Sequence, residues 1–307
     1  MEVRKAFANT LQSLMEKNPK IVMLDADLAK AGGTFSLRKV FPDRAIDCGI
    51  AECNMVSIAA GLSAYGYIPF VSTFAPFVAR RAFDQIAVSV AYGGQNVKII
   101  GTDPGISAQL NGGTHMSFED VAAMRAIQNM VVFEPVDAIQ MAQAVEQIVN
   151  YNGPVYVRMY RKDTPDVFTA PDYKFDLFKA DKIKDGKDIS IFVSGLSTVD
   201  VIAAGEELAK EGIDAEIINI HTVKPIDKEA VIASAKKTGR VLTVENHNKF
   251  GGLYSAVSEV LSEELPTPMQ YVAIEDKIGV VGKLGELKEY YDLTVKDIVA
   301  KAKKLFK

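Results

Sequence analysis

Cysteine is scarce: Cys48 and Cys53 are the only two in 307 residues. That is too few for a disulfide framework, so free thiols in a reducing cytoplasm are expected, and no zinc-ligand spacing occurs. Positive charge is not in excess either, because 35 Lys and Arg stand against 39 Asp and Glu for a net charge of −4. With both signs interspersed there is no basic stripe or basic amphipathic face. Neither nucleic acid nor a membrane surface is an expected partner, and a phosphorylated ligand would have to be met by local arginines. Three catalytic fingerprints are missing as well. No Gly-x-x-x-x-Gly-Lys-Ser/Thr, no Gly-x-Gly-x-x-Gly after the first strand and no Gly-x-Ser-x-Gly is present, which argues against a P-loop, a dinucleotide site and a serine hydrolase. The start Met1-Glu2-Val3-Arg4-Lys5 has no secretory leader pattern and runs into a helix pattern with Phe7, Leu11 and Leu14 on one face.

What is present is an alternation. The stretch from Cys53 to Ala79 carries no charge, yet Gly61, Gly66, Pro69 and Pro76 interrupt it, so it reads as a buried helix over about 51–65 and a buried strand over about 68–74 rather than a membrane span. Short apolar runs at Ile21 to Leu24, Ala45 to Asp47, Ile68 to Val71, Val97 to Ile100, Val131 to Phe133 and Val155 to Val157 are separated by helix-length segments. Such a pattern predicts an α/β fold, a mostly parallel sheet flanked by helices. Residues 165–187 break it with Asp, Lys and Pro around Phe168, Tyr173, Phe175 and Phe178, as expected of a linker that packs while it crosses. Strands at Ile189 to Val193, Ala215 to Ile218, Val241 to Val244 and Tyr271 to Ile274 then resume. The expected organisation is two α/β domains, 1–164 and 188–307, with 165–187 as linker.

Four places carry candidate chemistry. Glu52 follows a break at Gly49 and opens the uncharged stretch, so its carboxylate needs a specific partner or a raised proton affinity. A helix-dipole role is the blander account of a glutamate there. Phe74 and Phe77 follow a strand end, where flat apolar walls suit a planar heterocycle, although core packing is their ordinary use. The loop from Asp103 to Ser117 is long for a compact domain, contains His115 and ends at the capping pattern Ser117-Phe118-Glu119-Asp120. Arg158 and Arg161 close the last strand of the first half, positioned either as a solvated exit or as phosphate ligands.

Together these motifs identify a resemblance. Gly49-Ile50-Ala51-Glu52, Ser72 to Phe77 with Arg81-Ala82-Phe83-Asp84-Gln85-Ile86, and Gly112-Gly113-Thr114-His115 through Asp120 resemble the pyrimidine-binding domain of transketolases. Pro135 to Ala138, Arg158 to Arg161, Thr222 to Asp227, and Val244-Glu245-Asn246-His247 with Gly251-Gly252 extend the likeness over nearly the whole chain, as the C-terminal half of such an enzyme. The resemblance implies thiamine diphosphate as cofactor, with Glu52 hydrogen-bonded to its pyrimidine N1′, Phe74 and Phe77 walling that ring, and His115 facing sugar hydroxyls or the acceptor aldehyde. It also implies Arg161, with Arg158 and Arg4, as ligands of a substrate phosphate. In the family the diphosphate and Mg²⁺ are held by a domain carrying Gly-Asp-Gly, which does not occur here. A split transketolase is therefore expected, with an N-terminal subunit as partner, self-association into an α2β2 assembly, and phosphorylated sugars as substrates. Some positions depart from the family pattern: Asn111 for an acidic residue, Thr102 for a histidine, Ala31 for a serine and Arg80 for a third aromatic. The rival expectations are the β component of a 2-oxo acid dehydrogenase and a non-catalytic α/β module.

Overall fold

The computed structural model describes residues 1–306. Strands in chain order are β1 (Ile21–Asp25), β2 (Ala45–Asp47), β3 (Ile68–Phe74), β4 (Lys98–Thr102), β5 (Val131–Phe133), β6 (Val155–Met159), β7 (Asp181–Lys184), β8 (Ile189–Val193), β9 (Ala215–Asn219), β10 (Thr222–Lys224), β11 (Val241–Asn248) and β12 (Met269–Ile274). They form two sheets, in the orders β10-β5-β6-β4-β3-β1-β2 and β12-β11-β8-β9-β7. β1, β4, β6, β8 and β9 are buried along their whole length, which is why apolar residues stand at successive positions in them, as at Ile21 to Leu24, Ile99–Ile100 and Ile217–Ile218, rather than in strict alternation. Helices cover the faces. The helix Val3–Lys17 lays Phe7, Leu11 and Met15 against the Met141, Ala144 and Ile148 face of the helix Ala138–Asn150. Each such side chain stabilises the fold by roughly 1.5–3 kcal/mol relative to exposure.

Two strands depart from the parallel rule. β7, within the segment expected as linker, pairs antiparallel with β9. β10 leaves the second half of the chain and pairs antiparallel with β5, so the first sheet is completed by the C-terminal region. The crossing segment packs as its aromatics required: Phe168 stacks on Tyr173 at 4.5 Å, and Phe175 lies 5.5 Å from Phe133. Asp137 fastens it, capping its own helix through Gln140 N while its other oxygen accepts from the backbone of Val167 and Phe168.

After β2 the chain returns past β1 to form β3, so the direction of strand addition reverses between β1 and β3. Open α/β sheets bind ligands at the carboxyl ends of strands beside such a reversal. Glu52, Phe74, Asp103 and Arg161 all follow or close the carboxyl ends of β2, β3, β4 and β6.

Candidate active site

Glu52 is the first residue of the helix Glu52–Ala64 and is buried. Asp47 sets the preceding turn by accepting from Asp27 N at 3.0 Å and Gly49 N at 2.9 Å, with Gly49 at a φ of 68°. The carboxylate has a specific partner: Arg81 Nη1 donates to Oε2 at 2.7 Å. Arg81 also lies over the Phe77 ring, 4.8 Å from its centroid, and its carbonyl accepts from Cys53 Sγ. The acid is thus tied to the aromatic wall through one guanidinium.

Phe74 ends β3 and Phe77 opens a single wide π turn, Phe77–Arg81. Their centroids are 5.8 Å apart, and the His115 ring meets both edge-on, at 5.7 Å from Phe74 and 5.1 Å from Phe77. His115 Nδ1 is 3.0 Å from Thr114 Oγ1. The loop carrying it is built from short 3-10 turns, with Asp103 and Gln109 at φ values of 52° and 51°. Positive φ at such residues stores strain at the carboxyl edge of the sheet, a habit of ligand sites. The expected Ser117–Asp120 capping box does not form. Glu119 is the cap residue without a side-chain cap bond, because its carboxylate is held by Arg80 and by Phe118 N.

Arg161 flanks the other side of Phe74, its guanidinium 5.2 Å from that centroid and ion-paired with Asp103. Burial pushes the Asp103 carboxyl up, against the pull of Arg161. Arg161 Nη1 and Arg4 Nη1 both donate to the carbonyl of Ala31, at 3.4 and 2.8 Å, and Arg4 is paired with Glu2. Arg4 and Arg161 therefore converge on one spot, each with a carboxylate beside it.

Arg158 does not belong there, and the expectation that it binds a substrate phosphate is corrected. Its side chain is fully buried, with Nε and Nη2 on Asp120, Nη1 on Glu134 at 2.8 Å and Nη2 also on the Asn246 carbonyl at 2.7 Å. Every donor group is spent inside the wedge between the two sheets. Burial alone would raise Asp120, but the Arg158 guanidinium outweighs it and holds that carboxyl below its ordinary range.

Sequence reasoning gave no role to Arg81 or Asp103 and marked Arg80 only as a departure from the family pattern. The signal for the arginines was available: Arg80 and Arg81 are the first charges after the uncharged stretch that begins at Cys53. His221 and His247 are buried; His221 Nε2 donates to Lys179 O, and His247 Nδ1 to Asn248 O.

The fold and site define a class: an α/β protein with an acidic group and an aromatic pair at the mouth of its first sheet and a second, smaller sheet behind. Residues 1–166 match the transketolase pyrimidine-binding domain and residues 178–298 the transketolase C-terminal domain. The chain is 47% identical over 300 residues to a 6-deoxy-6-sulfo-D-fructose transketolase subunit of Clostridium sp. (strain MSTE9), covering 98% of this chain and 93% of that one. It is 37% identical to an apulose-4-phosphate transketolase subunit of Phocaeicola vulgatus, covering 94% and 93%. A solved split-gene transketolase, described as an inactive β4 tetramer, superposes with a TM-score of 0.90 at 43% identity, over 99% of this chain and 98% of that one. The chain belongs to the transketolase family, and is thereby a transferase component. Neither rival reading is favoured. Among the described residues no helix is long and apolar enough to cross a membrane.

Proposed function

We propose that this chain is the C-terminal subunit of a thiamine-diphosphate-dependent transketolase, moving a two-carbon ketol unit from a ketose phosphate to an aldose phosphate together with an N-terminal subunit. The observation that carries the reading is the buried Glu52 carboxylate, held by Arg81 against Phe77 at the mouth of the sheet. An acid out of water, joined through Arg81 to the Phe77 ring of a tilted phenylalanine pair, fits the pyrimidine end of that cofactor. Bound there, thiamine diphosphate supplies the nucleophilic carbon and the electron sink of the transfer. Glu52 would hydrogen-bond the pyrimidine N1′, a placement worth about 10²–10⁴-fold in rate. Phe74 and Phe77 fix the tilt of the ring and exclude water, since a small misplacement costs orders of magnitude. His115, against both rings, meets sugar hydroxyls or the acceptor aldehyde oxygen.

Arg161 and Arg4 meet the anionic end of the sugar. Their carboxylate partners offset the positive charge at this end, and one relative is named for a sulfonated ketose, so such a sugar belongs in the assay beside the phosphorylated ones. We place the diphosphate and Mg²⁺ ligands outside these 307 residues, because no Gly-Asp-Gly occurs in them. A separate N-terminal subunit is the source we favour, given that relatives matched over more than nine-tenths of their length are named as subunits. Exposed Ile50, Ile58, Tyr65, Val88 and Tyr92 leave the first domain with uncovered apolar side chains suited to subunit contact in an α2β2 assembly in the cytoplasm. We keep 1–164 and 188–307 as the functional domains, with 165–187 crossing between them.

The test is co-expression with an N-terminal subunit, followed by ketol transfer and calorimetry. Glu52→Gln should fold and assemble but lose turnover by about 10²–10⁴-fold; near-normal turnover would discredit the mechanism. Tight thiamine diphosphate binding to this chain alone would misplace the diphosphate site.

A further inference from the structure

Arg80 stands where the family pattern expects an aromatic wall residue, and it turns away from the ring site. Its Nη2 donates to the carbonyl of Met116 at 2.8 Å and to Glu119 Oε2 at 3.1 Å, its Nη1 reaches the Thr114 carbonyl at 3.4 Å, and its Nε is also on Glu119. Thr114 and Met116 bracket His115. One guanidinium therefore grips the loop on either side of the imidazole, from the π turn whose first residue is Phe77.

The opposite side of the same loop is seated in the second domain. Ile106, Ala108, Met116 and Phe118 belong to the apolar core built by Val244, Leu287 and Tyr291, with Phe118 edge-on to Tyr291 at 5.4 Å. Asn246 Oδ1 accepts from Ile106 N, and its Nδ2 donates to the Pro104 carbonyl. Asn248 N donates to the Phe118 carbonyl at 2.8 Å. At the tip, two backbones touch: a Cβ on Gly279 would come within 2.5 Å of Gly113 Cα, and one on Gly113 within 2.4 Å of the Gly279 carbonyl oxygen. No side chain fits between them without displacing one strand of the contact.

We propose that Arg80 is a positioning residue that presses His115 against Phe74 and Phe77, with the Gly279 segment of the C-terminal domain as its backstop. The inference rests on the reading of His115 as a substrate-facing group. An ion pair as exposed as Arg80–Glu119 contributes little to stability, so its value lies in the two loop carbonyls it holds in register. The same geometry gives the C-terminal domain work in the site without supplying a group that touches substrate. It also means that Arg80 has its donors engaged and is no substitute ligand for a sugar phosphate.

The first test needs no partner subunit and no turnover. Three histidines are present and two of them are buried away from the site, so histidine-selective labelling of the full chain resolves the His115 imidazole by NMR. Its ring protons lie beside two phenyl rings and carry their ring-current shift. Arg80→Ala should move the His115 signals toward those of an unpacked imidazole while His221 and His247 stay in place; Gly279→Ala should do the same from the other side. Guanidinium added to the Arg80→Ala chain should restore the shift, and Arg80→Lys should restore it only in part, because an ammonium has no fork. Unchanged His115 signals in both variants overturn the proposal, as does a movement of all three histidines that guanidinium does not reverse. In the assembled enzyme, with a five-carbon 2-ketose phosphate as donor and a five-carbon aldose phosphate as acceptor, Arg80→Ala should raise the acceptor KM about tenfold, by loss of placement. Thiamine diphosphate affinity should stay within about twofold of wild type, since Glu52, Arg81 and Phe77 are untouched. If Arg80→Ala is kinetically normal while Glu52→Gln is inactive, only this inference falls; if both are normal, the proposed function falls first.

Discussion

Arg158 and Arg161 leave the same strand end three residues apart, and they have opposite fates. Arg158 points into the wedge between the two sheets, where Asp120, Glu134 and the Asn246 carbonyl engage its donors and its side chain is buried. Arg161 emerges at the mouth, partly open, over Phe74 and beside Asp103. Arg158 lies within β6 and projects from one of its faces, whereas Arg161 comes two residues after the strand ends at Met159 and is free to turn to the sheet edge. The wedge is a closed electrostatic unit that joins the domains; the mouth is a set of charges each left with unused capacity. Chemistry belongs to the second kind of place.

The comparison is broken or sharpened first at Glu52. Glu52→Gln removes an acid from the mouth and should cost turnover by about 10²–10⁴-fold with little change in the denaturation midpoint. Next in size is Arg158→Ala, which strands two buried carboxylates and should destabilise the chain by about 3–5 kcal/mol in urea or thermal unfolding. A stable Arg158→Ala chain with normal substrate constants would mean the wedge is not the structural unit described. Arg161→Ala should act the other way round, raising the KM for a phosphorylated ketose about tenfold with a smaller loss of stability. The loss is smaller because Asp103, already pushed up by burial, can take a proton when its partner goes. If the two arginine variants lose stability equally, the division between mouth and wedge is wrong.

Local pattern carried most of the architecture into view. Runs such as Ile189 to Val193 and Val241 to Val244 read as strands buried on both sides, and each is one. β10 was illegible, because three residues, Thr222 to Lys224, pair with a strand some ninety positions earlier and nothing in their own composition says so. The site divides in the same way. Glu52 and the phenylalanines were visible because each follows a strand end and a break in pattern. Arg81 and Asp103 were not assigned, since an ion pair across 29 or 58 residues is a property of the folded sheet edge. Arg158 was misassigned for the same reason: its sequence position is a strand exit, while the burial of the face it takes depends on where the second domain docks. The loop at 103–117 was flagged by its length, but its apolar residues Ile106 and Met116, and Phe118 just after it, give no sign that their core lies in the other domain.

The smallest effect concerns pH, and it tests the wedge without touching the mouth. Burial lowers His247 to about 4 from 6.5 and raises Glu245 to about 7 from 4.5. Below about pH 6.5 the unfolded chain takes up a proton that folded His247 refuses, so stability falls as pH drops toward 4. Glu245 has the opposite sign: it keeps its proton when folded, so its contribution is complete below 4.5 and is lost as pH rises through about 7. Glu245 accepts from Leu253 N and Tyr254 N at the start of the helix Leu253–Glu264, which moderates that loss without cancelling it. His247→Gln should therefore flatten the acid limb of the stability profile by up to one proton's slope, about 1.4 kcal/mol per pH unit, and Glu245→Gln should flatten the limb approaching neutrality. Denaturation midpoints measured from pH 4 to 8 on both variants decide it. Limbs that keep their slopes would mean that water reaches the wedge after all, and that Arg158 is less different from Arg161 than their burial makes them.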